Sequence, residues 1–292
     1  MFVIELLMMI IKTKSNTEPK VLVHLHLYYH NQLDFMLKKL SNICNCNWDL
    51  YVTICNFDDK IVEKIKKFKP DAKIIQLKNK GYDIWPFIQV LNNVELNNYD
   101  YILKIHTKNF RKDSEFFETG YIWRDYLING ILKNKRTFKK NLNILNSNPK
   151  IGLIGSKPVL VPMGNKYSED TYLFEEICRK YNLPVSKGEF ISGTMFLTRA
   201  NCFEMIKNMN LNENDFCQKQ ETSGKETLAH VVERLLTRVV AIQGYEIYGA
   251  PYSFFKDKIK FVIKNIFTIR NKFINGKKHK EIVFLSLKFL IN

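Results

Sequence analysis

Apolar residues in the first third of the chain fall into short runs separated by amphipathic stretches. The run VLVHLHLYYH (residues 21–30) is β-rich and bounded by polar residues, which predicts a buried first strand. Leu33, Met36, Leu37 and Leu40 then share one helical face. A second strand is predicted over 50–55, followed by a helix carrying Ile61, Ile65 and Phe68. AKIIQLKNKG reads as a third strand, DIWPFIQVLNNV as a third helix and YDYILKI as a fourth strand. Strands alternating with single helices argue for βαβ units and an α/β fold with a mostly parallel sheet.

The pattern then changes. Residues 121–132 (YIWRDYLINGIL) and KNLNILNSNP read as helices, the second ending at Pro149, and KIGLIGSKPVLVP reads as a strand. GEFISGTMFLTRA (188–200) reads as one strand whose Ser192-Gly193 pair lets a ligand or backbone approach closely. TLAHVVERLLTRVVAIQGY reads as a helix with Leu228, Val231, Val232, Leu235 and Leu236 on its apolar face. On the same helix His230 and Glu233, three residues apart, are surface neighbours. From Phe254 onward ten Lys and Arg face only Asp257 and Glu281, with Phe and Ile interleaved. That mixture predicts an amphipathic helix on an anionic membrane surface, with a basic helix packed on the domain as the close alternative. Three regions result: a leader (1–20), a main domain (21–253) and a basic helical tail (254–292). The leader's MFVIELLMMII lacks a basic n-region and a cleavage site and is too short to span a bilayer. It reads as a short strand, a loose leader or a membrane-touching end.

Charge narrows the partners. Forty-five Lys and Arg against 29 Asp and Glu leave a formal +16, which favours anionic partners: nucleic acid, acidic lipid or phosphorylated small molecules. No RNP aromatic pair or zinc finger supports a nucleic-acid reader. Six cysteines without a CxxC pair suit reduced thiols in a cytosolic protein. The chain contains no P-loop, GxSxG, HExxH or tandem GxGxxG, which removes most nucleotide hydrolases, serine hydrolases and zincins.

In a parallel sheet, ligands collect at the carboxyl ends of the strands. Those ends carry Tyr28, Tyr29 and His30; Thr53 and Asn56; residues 79–83; and His106 to Lys108. Gly81 is free to take positive φ, and Asp83 either caps the next helix or meets a ligand. His106 and Lys108, two apart on an extended segment, point to the same side. Lys108 offers a point charge, His106 a hydrogen bond or proton, and Arg111 or Arg124 a bidentate fork, a set suited to a diphosphate. Glu233, or His230 oriented by it, is either a proton acceptor or part of a plain surface contact.

The blocks NKGYDIWPFIQVL, YDYILKIHTKN, WRDYLINGIL, IGLIGS, SGTMFLTRA and TLAHVVERLL resemble, in order and approximate spacing, the rhamnan synthesis protein F family of bacterial polysaccharide glycosyltransferases, from about Val21 to Tyr248. The resemblance implies a GT-A-like, Rossmann-type domain. Its activity would be transfer of a sugar, rhamnose being one candidate, from a dTDP-, UDP- or GDP-linked donor to a lipid-linked saccharide or polysaccharide. It would work in the cytoplasm, peripheral on the inner face of the bacterial membrane. It further implies that Tyr28, His30, Thr53, Gly81 and Asp83 contact the nucleotide, that His106, Lys108 and Arg124 hold the diphosphate, and that Gly193 and Thr194 line the sugar pocket. Glu233 is the first choice for base and His230 the second.

GT-A enzymes usually place a metal-binding Asp-x-Asp where this chain has His106-Thr107-Lys108, so no metal ligand is assigned and metal dependence stays open. Lys225-Glu226 stands where the family usually has Asp-Gly, which leaves room for altered donor choice or inactivity. A non-catalytic scaffold at the membrane is the rival reading, with a nucleic-acid-binding protein behind it.

Overall fold

The computed structural model describes residues 18–109, 120–163, 170–185, 188–217, 227–252, 267–274, 277–284 and 287–291. The expectation for the leader, and the Lys225-Glu226 pair, fall outside them. The amino-terminal half runs β1 (Lys20–Leu27), α1 (Leu33–Leu40), β2 (Asn47–Ile54), α2 (Asp59–Phe68), β3 (Lys73–Gln76), α3 (Ile84–Asn92) and β4 (Tyr101–His106). This is the alternation the hydrophobic runs predict. Asp58 starts α2 because its carboxylate accepts from the N–H groups of Lys60 and Ile61, two donors left over at a helix N-terminus.

After β4 come α4 (Gly120–Leu132), α5 (Lys135–Ser147), β5 (Ile151–Ser156), β6 (Leu160–Pro162), α6 (Asp170–Lys180), β7 (Glu189–Ile191) and β8 (Phe196–Arg199). The unit closes with the short α7 (Glu204–Lys207), α8 (Leu228–Ile242) and β9 (Glu246–Ala250). The main sheet has seven strands in the order β3-β2-β1-β4-β8-β5-β9. Strands β1 to β4 are parallel neighbours, β9 runs parallel to β5, and β8 lies antiparallel between β4 and β5. From β1 the chain builds outward through β2 and β3, then returns to β1's other side as β4. That reversal opens a crevice at the carboxyl ends of β1 and β4.

The strands are as apolar as a sheet covered on both faces requires: all six residues of β4 and seven of the eight in β1 are buried. Phe87 of α3 packs edge-on against Phe196 and Phe203, with ring centroids 6.1 and 5.6 Å away. Truncating so buried a ring to Ala costs on the order of 3–5 kcal/mol. Among the described residues, no helix is long and apolar enough to cross a membrane.

The structure departs from the sequence pattern in several places. KIGLIGSKPVLVP is not one strand: β5 joins the main sheet and β6 a small one, parted by a turn over Lys157–Val159 in which Pro158 has no N–H for a ladder. Residues 188–200 are not one strand: β7 pairs with β6 in a small two-stranded sheet and β8 joins the main sheet. Between them the chain turns through Gly193 (φ +79°) and Thr194 (φ +49°), angles incompatible with a strand. The segment after the last helix forms β9, and α6 and α7 arise where no element is predicted. The basic tail is not helical where it is described. It is an antiparallel meander of β10 (Phe267–Ile274), β11 (Lys277–Phe284) and β12 (Leu287–Ile291), with Phe267 opposite Phe284 and Leu287 opposite Phe284. The reason is legible: in β10 Phe267, Ile269 and Phe273 alternate with Thr268, Arg270 and Lys272, the three strands are rich in Phe, Ile and Val, and Asn275-Gly276 between the first two is a hairpin signal. The chain divides into two compact units, Met1–Pro251 and Tyr252–Asn292.

Candidate active site

The crevice at the ends of β1 and β4 holds a cavity of about 250 Å³, walled by His26, Tyr28, Tyr29, Asn79, Tyr82, Asp83, His106, Thr107, Lys108 and Asn109. Thr107 ties the two strand ends together, its Oγ1 accepting from the N–H groups of Tyr28 and Tyr29 at 3.0 Å each. Gln32, itself buried, donates from Nε2 to the Lys108 carbonyl at 2.5 Å and accepts from the Lys108 N–H at 3.4 Å. The backbone beneath Lys108 is thus fixed at the cavity wall. Asn79 donates to the Tyr28 hydroxyl at 3.4 Å, joining the turn after β3 to the end of β1.

Asp83 organises the floor. It occupies the position before α3, yet its side chain does not cap the helix. Instead Oδ2 accepts from Lys104 Nζ and from Thr194 Oγ1, each at 2.5 Å, and lies 3.4 Å from His106 Nδ1. Burial opposes ionisation of this carboxyl, but His106, Lys104 and Lys108 and the Lys104 hydrogen bond hold it well below the usual carboxylate range. Because His106 is itself kept neutral, first by burial, we assign the ionised state of Asp83 to Lys104.

His24 and His26 project from β1 beside Lys104 and His106 of β4 in register, and both bond Thr53 Oγ1, at 2.9 and 3.0 Å. Burial drives His24 well below its ordinary value and His26 down to about 4. The sheet therefore carries a column of neutral imidazoles. Both ring nitrogens of buried His106 lack a hydrogen-bond partner among the described residues, and the ring borders the cavity.

The Gly193-Thr194 turn joins this floor to α8. Gly193 donates its N–H to Glu233 Oε1 at 2.6 Å, while Thr194, next along, bonds Asp83. Thr194 and Tyr82 both have positive φ, +49° and +55°. Such angles in a β-branched and a bulky residue mark strain held in place by its surroundings, and they cluster at functional sites. His230 accepts the Thr227 N–H at the start of α8 and lies 5.5 Å from the Tyr82 ring.

Of the residues singled out in the sequence, Tyr28, Asp83, His106 and Lys108 meet at the cavity, and Gly81 shapes its turn. Gly193, Thr194 and Glu233 attach to the same corner through Asp83. Thr53 lies beneath, holding the two histidines. His30 sits outside the wall, 4.0 Å from Asp58, and the Arg124 guanidinium lies over the Phe35 ring at 3.3 Å and bonds Asp125. Lys104 and His26 are site residues that the sequence reading passed over, whereas Tyr82 lies in the 79–83 stretch it marked; the available signal was that His24, His26, Lys104 and His106 interrupt apolar strands at alternate positions.

A divalent cation finds no ready cage here. Among the described residues no group of three or more His, Cys, Asp or Glu is placed to hold one, and Asp83 Oδ2 is already engaged by Lys104 and Thr194.

Fold and site together define an α/β protein with a polar, aromatic-walled cavity at the switch point of a mainly parallel sheet. The family model of rhamnan synthesis protein F matches residues 1–245, and the chain belongs to that family. The uncharacterized protein WxcX of Xanthomonas campestris pv. campestris is 27% identical over 237 residues, 78% of this chain and 32% of WxcX. The chain thus spans about a third of the length of that relative.

Among solved structures, S. aureus TarS (residues 1–349) superposes with a TM-score of 0.42 at 11% identity, covering 83% of this chain and 63% of TarS. The 4-diphosphocytidyl-2C-methyl-D-erythritol synthase of Anaerococcus prevotii gives 0.42 at 9%, covering 81% and 90%. Glucosyl-3-phosphoglycerate synthase of Mycobacterium tuberculosis, in complex with Mn²⁺, UDP and glucosyl-3-phosphoglycerate, gives 0.34 at 10%, covering 91% and 88%. Overlap this loose leaves the reaction to be argued from the site.

Proposed function

We propose that this chain is a glycosyltransferase of polysaccharide assembly, taking a sugar from a nucleotide-linked donor to a saccharide acceptor. The observation that carries the reading is one cavity in which an ionised carboxylate, a cationic side chain and three tyrosines, Tyr28, Tyr29 and Tyr82, face the same space. The described walls enclose about 250 Å³, less than drug-sized ligands usually occupy, so they suit part of a nucleotide sugar rather than all of it.

In this reading the tyrosine rings flank the base or ribose and the Lys108 ammonium neutralises charge on the departing diphosphate, where a metal would otherwise do so. His106, neutral and with unpartnered nitrogens, donates a hydrogen bond to a diphosphate or sugar oxygen. The acceptor oxygen bonds to the anomeric carbon as the carbon–phosphate-oxygen bond breaks. The bonding pair leaves with the nucleoside diphosphate, and the acceptor proton passes to Glu233, whose Oε1 is anchored by Gly193. The donor nucleotide, rhamnose as the sugar, a lipid-linked acceptor and a station on the inner face of the membrane belong to the same proposal. Contact with anionic lipid through the basic carboxyl-terminal unit is part of it, supported by that unit's charge.

The test is a melting-temperature panel of dTDP-rhamnose and UDP-, GDP- and CMP-sugars, each with Mn²⁺ and with EDTA. A donor at about 100 times its Kd adds about 2.7 kcal/mol of stability. A shift that survives EDTA supports the Lys108 role, a shift that needs Mn²⁺ removes it, and no shift with any donor overturns the transferase. Glu233→Gln keeps the acceptor for the Gly193 N–H, so it should retain donor binding and lose on the order of 100-fold or more in transfer.

A further inference from the structure

Among the described residues, Lys104 is one of the largest fully buried side chains and the charged one of that set. Its ammonium is enclosed by oxygens from two distant segments: Asp83 Oδ2 at 2.5 Å, Thr194 Oγ1 at 2.7 Å and the Thr194 carbonyl at 3.2 Å. The Phe87 ring, its centroid 5.5 Å away, closes the apolar side. With three donors on the ammonium and three acceptors around it, the group is saturated and has nothing left for a ligand. Yet every bond it makes ends on the site. Asp83 borders the cavity, and Thr194 is held by Lys104 and Asp83 at a φ of +49° that a β-branched residue avoids. Gly193, immediately before Thr194, presents its N–H to Glu233 at 2.6 Å. A buried ion pair is a poor route to stability, since apolar replacements of similar volume are often as stable or more so. Its worth must lie in the geometry it imposes.

We propose that Lys104 is a positioning residue: a fixed internal counter-ion that sets Asp83 against the cavity and, through the Thr194-Gly193 turn, sets Glu233 for transfer, touching neither donor nor acceptor. This rests on the sugar-transfer reading of the site. Lys104→Ala removes the side chain from Cγ to Nζ and leaves beside Asp83, a wall residue of the cavity, a space that a small primary amine can occupy in place of the lost group.

The experiment follows melting and transfer by the full chain as methylammonium chloride is titrated into Lys104→Ala. The expected result is a fall in kcat on the order of 100-fold, as for loss of one preorganised electrostatic contact. Methylammonium should then restore both Tm and kcat saturably. Wild type and Lys104→Ala/Asp83→Asn should not respond, and tetramethylammonium, too large and without N–H donors, should be inert. Recovery of Tm without kcat, a folded Ala variant that ignores the amine, or wild-type turnover by the Ala variant overturns the proposal. Should Lys104→Ala not fold, Lys104→Met keeps length without charge. A fall in its kcat with donor KM little changed supports the positioning role, and unchanged kcat overturns it. If the wild-type chain transfers from no donor, the proposed reaction fails, while the amine response of melting still decides whether Lys104 is the counter-ion of Asp83.

Discussion

Gly81→Ala is the sharpest probe of the turn that carries Tyr82 and Asp83 into the cavity. Gly81 has φ +59°, and a Cβ placed on it would lie 2.7 Å from Cδ1 of Phe216, 2.9 Å from Cγ of the same ring and 2.9 Å from Cβ of Trp85. The left-handed conformation costs an L-residue about 1–2 kcal/mol. Overpacking against residues that already pack on each other, with Trp85 and Phe216 centroids 5.7 Å apart at a 32° tilt, adds about 1–3 kcal/mol. The sum, about 3.5 kcal/mol at its centre, corresponds to a fall in Tm of about 10 °C for a domain of this size. Gly244→Ala is the control: φ is +85° with nothing within 4 Å, so the conformational cost stands alone and the fall is about 4 °C. Phe216→Ala should relieve the clash, so the Gly81→Ala/Phe216→Ala double variant loses less than the sum of the two single variants. Differential scanning calorimetry of the four proteins decides. Equal losses for Gly81→Ala and Gly244→Ala, or strict additivity in the double variant, would refute the claim that Phe216 occupies the space a side chain at 81 needs.

Lys108→Ala should weaken nucleotide-sugar binding by about 10- to 100-fold, the worth of a charged hydrogen bond, with Tm nearly unchanged because Gln32 holds the Lys108 backbone; calorimetric titration reads the first and melting the second. Acid should destabilise the protein early. His26 takes up its proton near 6.5 when unfolded but only near 4 when folded, so stability present above about pH 6.5 declines by about 3 kcal/mol as pH falls through that interval. Asp83, whose folded value lies below its unfolded one, adds further loss lower still. Urea midpoints that stay level from neutral pH down to 4 would contradict this. Replacing Lys277, Lys278 and Lys280 together by Ala should reduce sedimentation with anionic vesicles by about 100-fold in affinity, at about 1 kcal/mol per lysine, and leave neutral vesicles unaffected.

The parallel half of the sheet was legible because each apolar run there is bounded by polar turns and followed by an amphipathic helix, so periodicity alone separates strand from helix. The same reasoning failed at 188–200, where two strands of different sheets are continuous in hydrophobicity and only the backbone angles of Gly193 and Thr194 part them. It failed again in the tail, where interleaved Phe and Lys suit a helix face as well as a strand face until Asn275-Gly276 is weighed. Within the site, residues at strand ends were found because topology says where to look. Lys104 was not, since a single lysine inside YDYILKI gives no sign that its partner, Asp83, is 21 positions earlier on another element. Asp83 read as either an N-cap or a ligand contact, and the cap position is indeed where it sits; what its carboxylate binds is a tertiary fact.

Strand β8 is the last strand made of the three that meet at the centre of the sheet, yet it is the one that joins the other two. β4 finds its neighbour only when residues 196–199 arrive, pairing Tyr101 with Arg199, and β5 docks on the opposite edge of the same strand. Closing so long a loop is entropically slow. The four parallel strands must therefore wait with an unsatisfied edge on β4 and with Lys104 lacking two of its three oxygen acceptors, since both belong to Thr194 just ahead of β8. A chain interrupted before this point during synthesis has an open sheet edge and a Lys104 ammonium with its counter-ion Asp83 but one acceptor of three. Arrival of this one segment therefore both bridges the two halves of the sheet and brings Lys104 its last two acceptors, while β9 and the helix that carries Glu233 follow later in the chain.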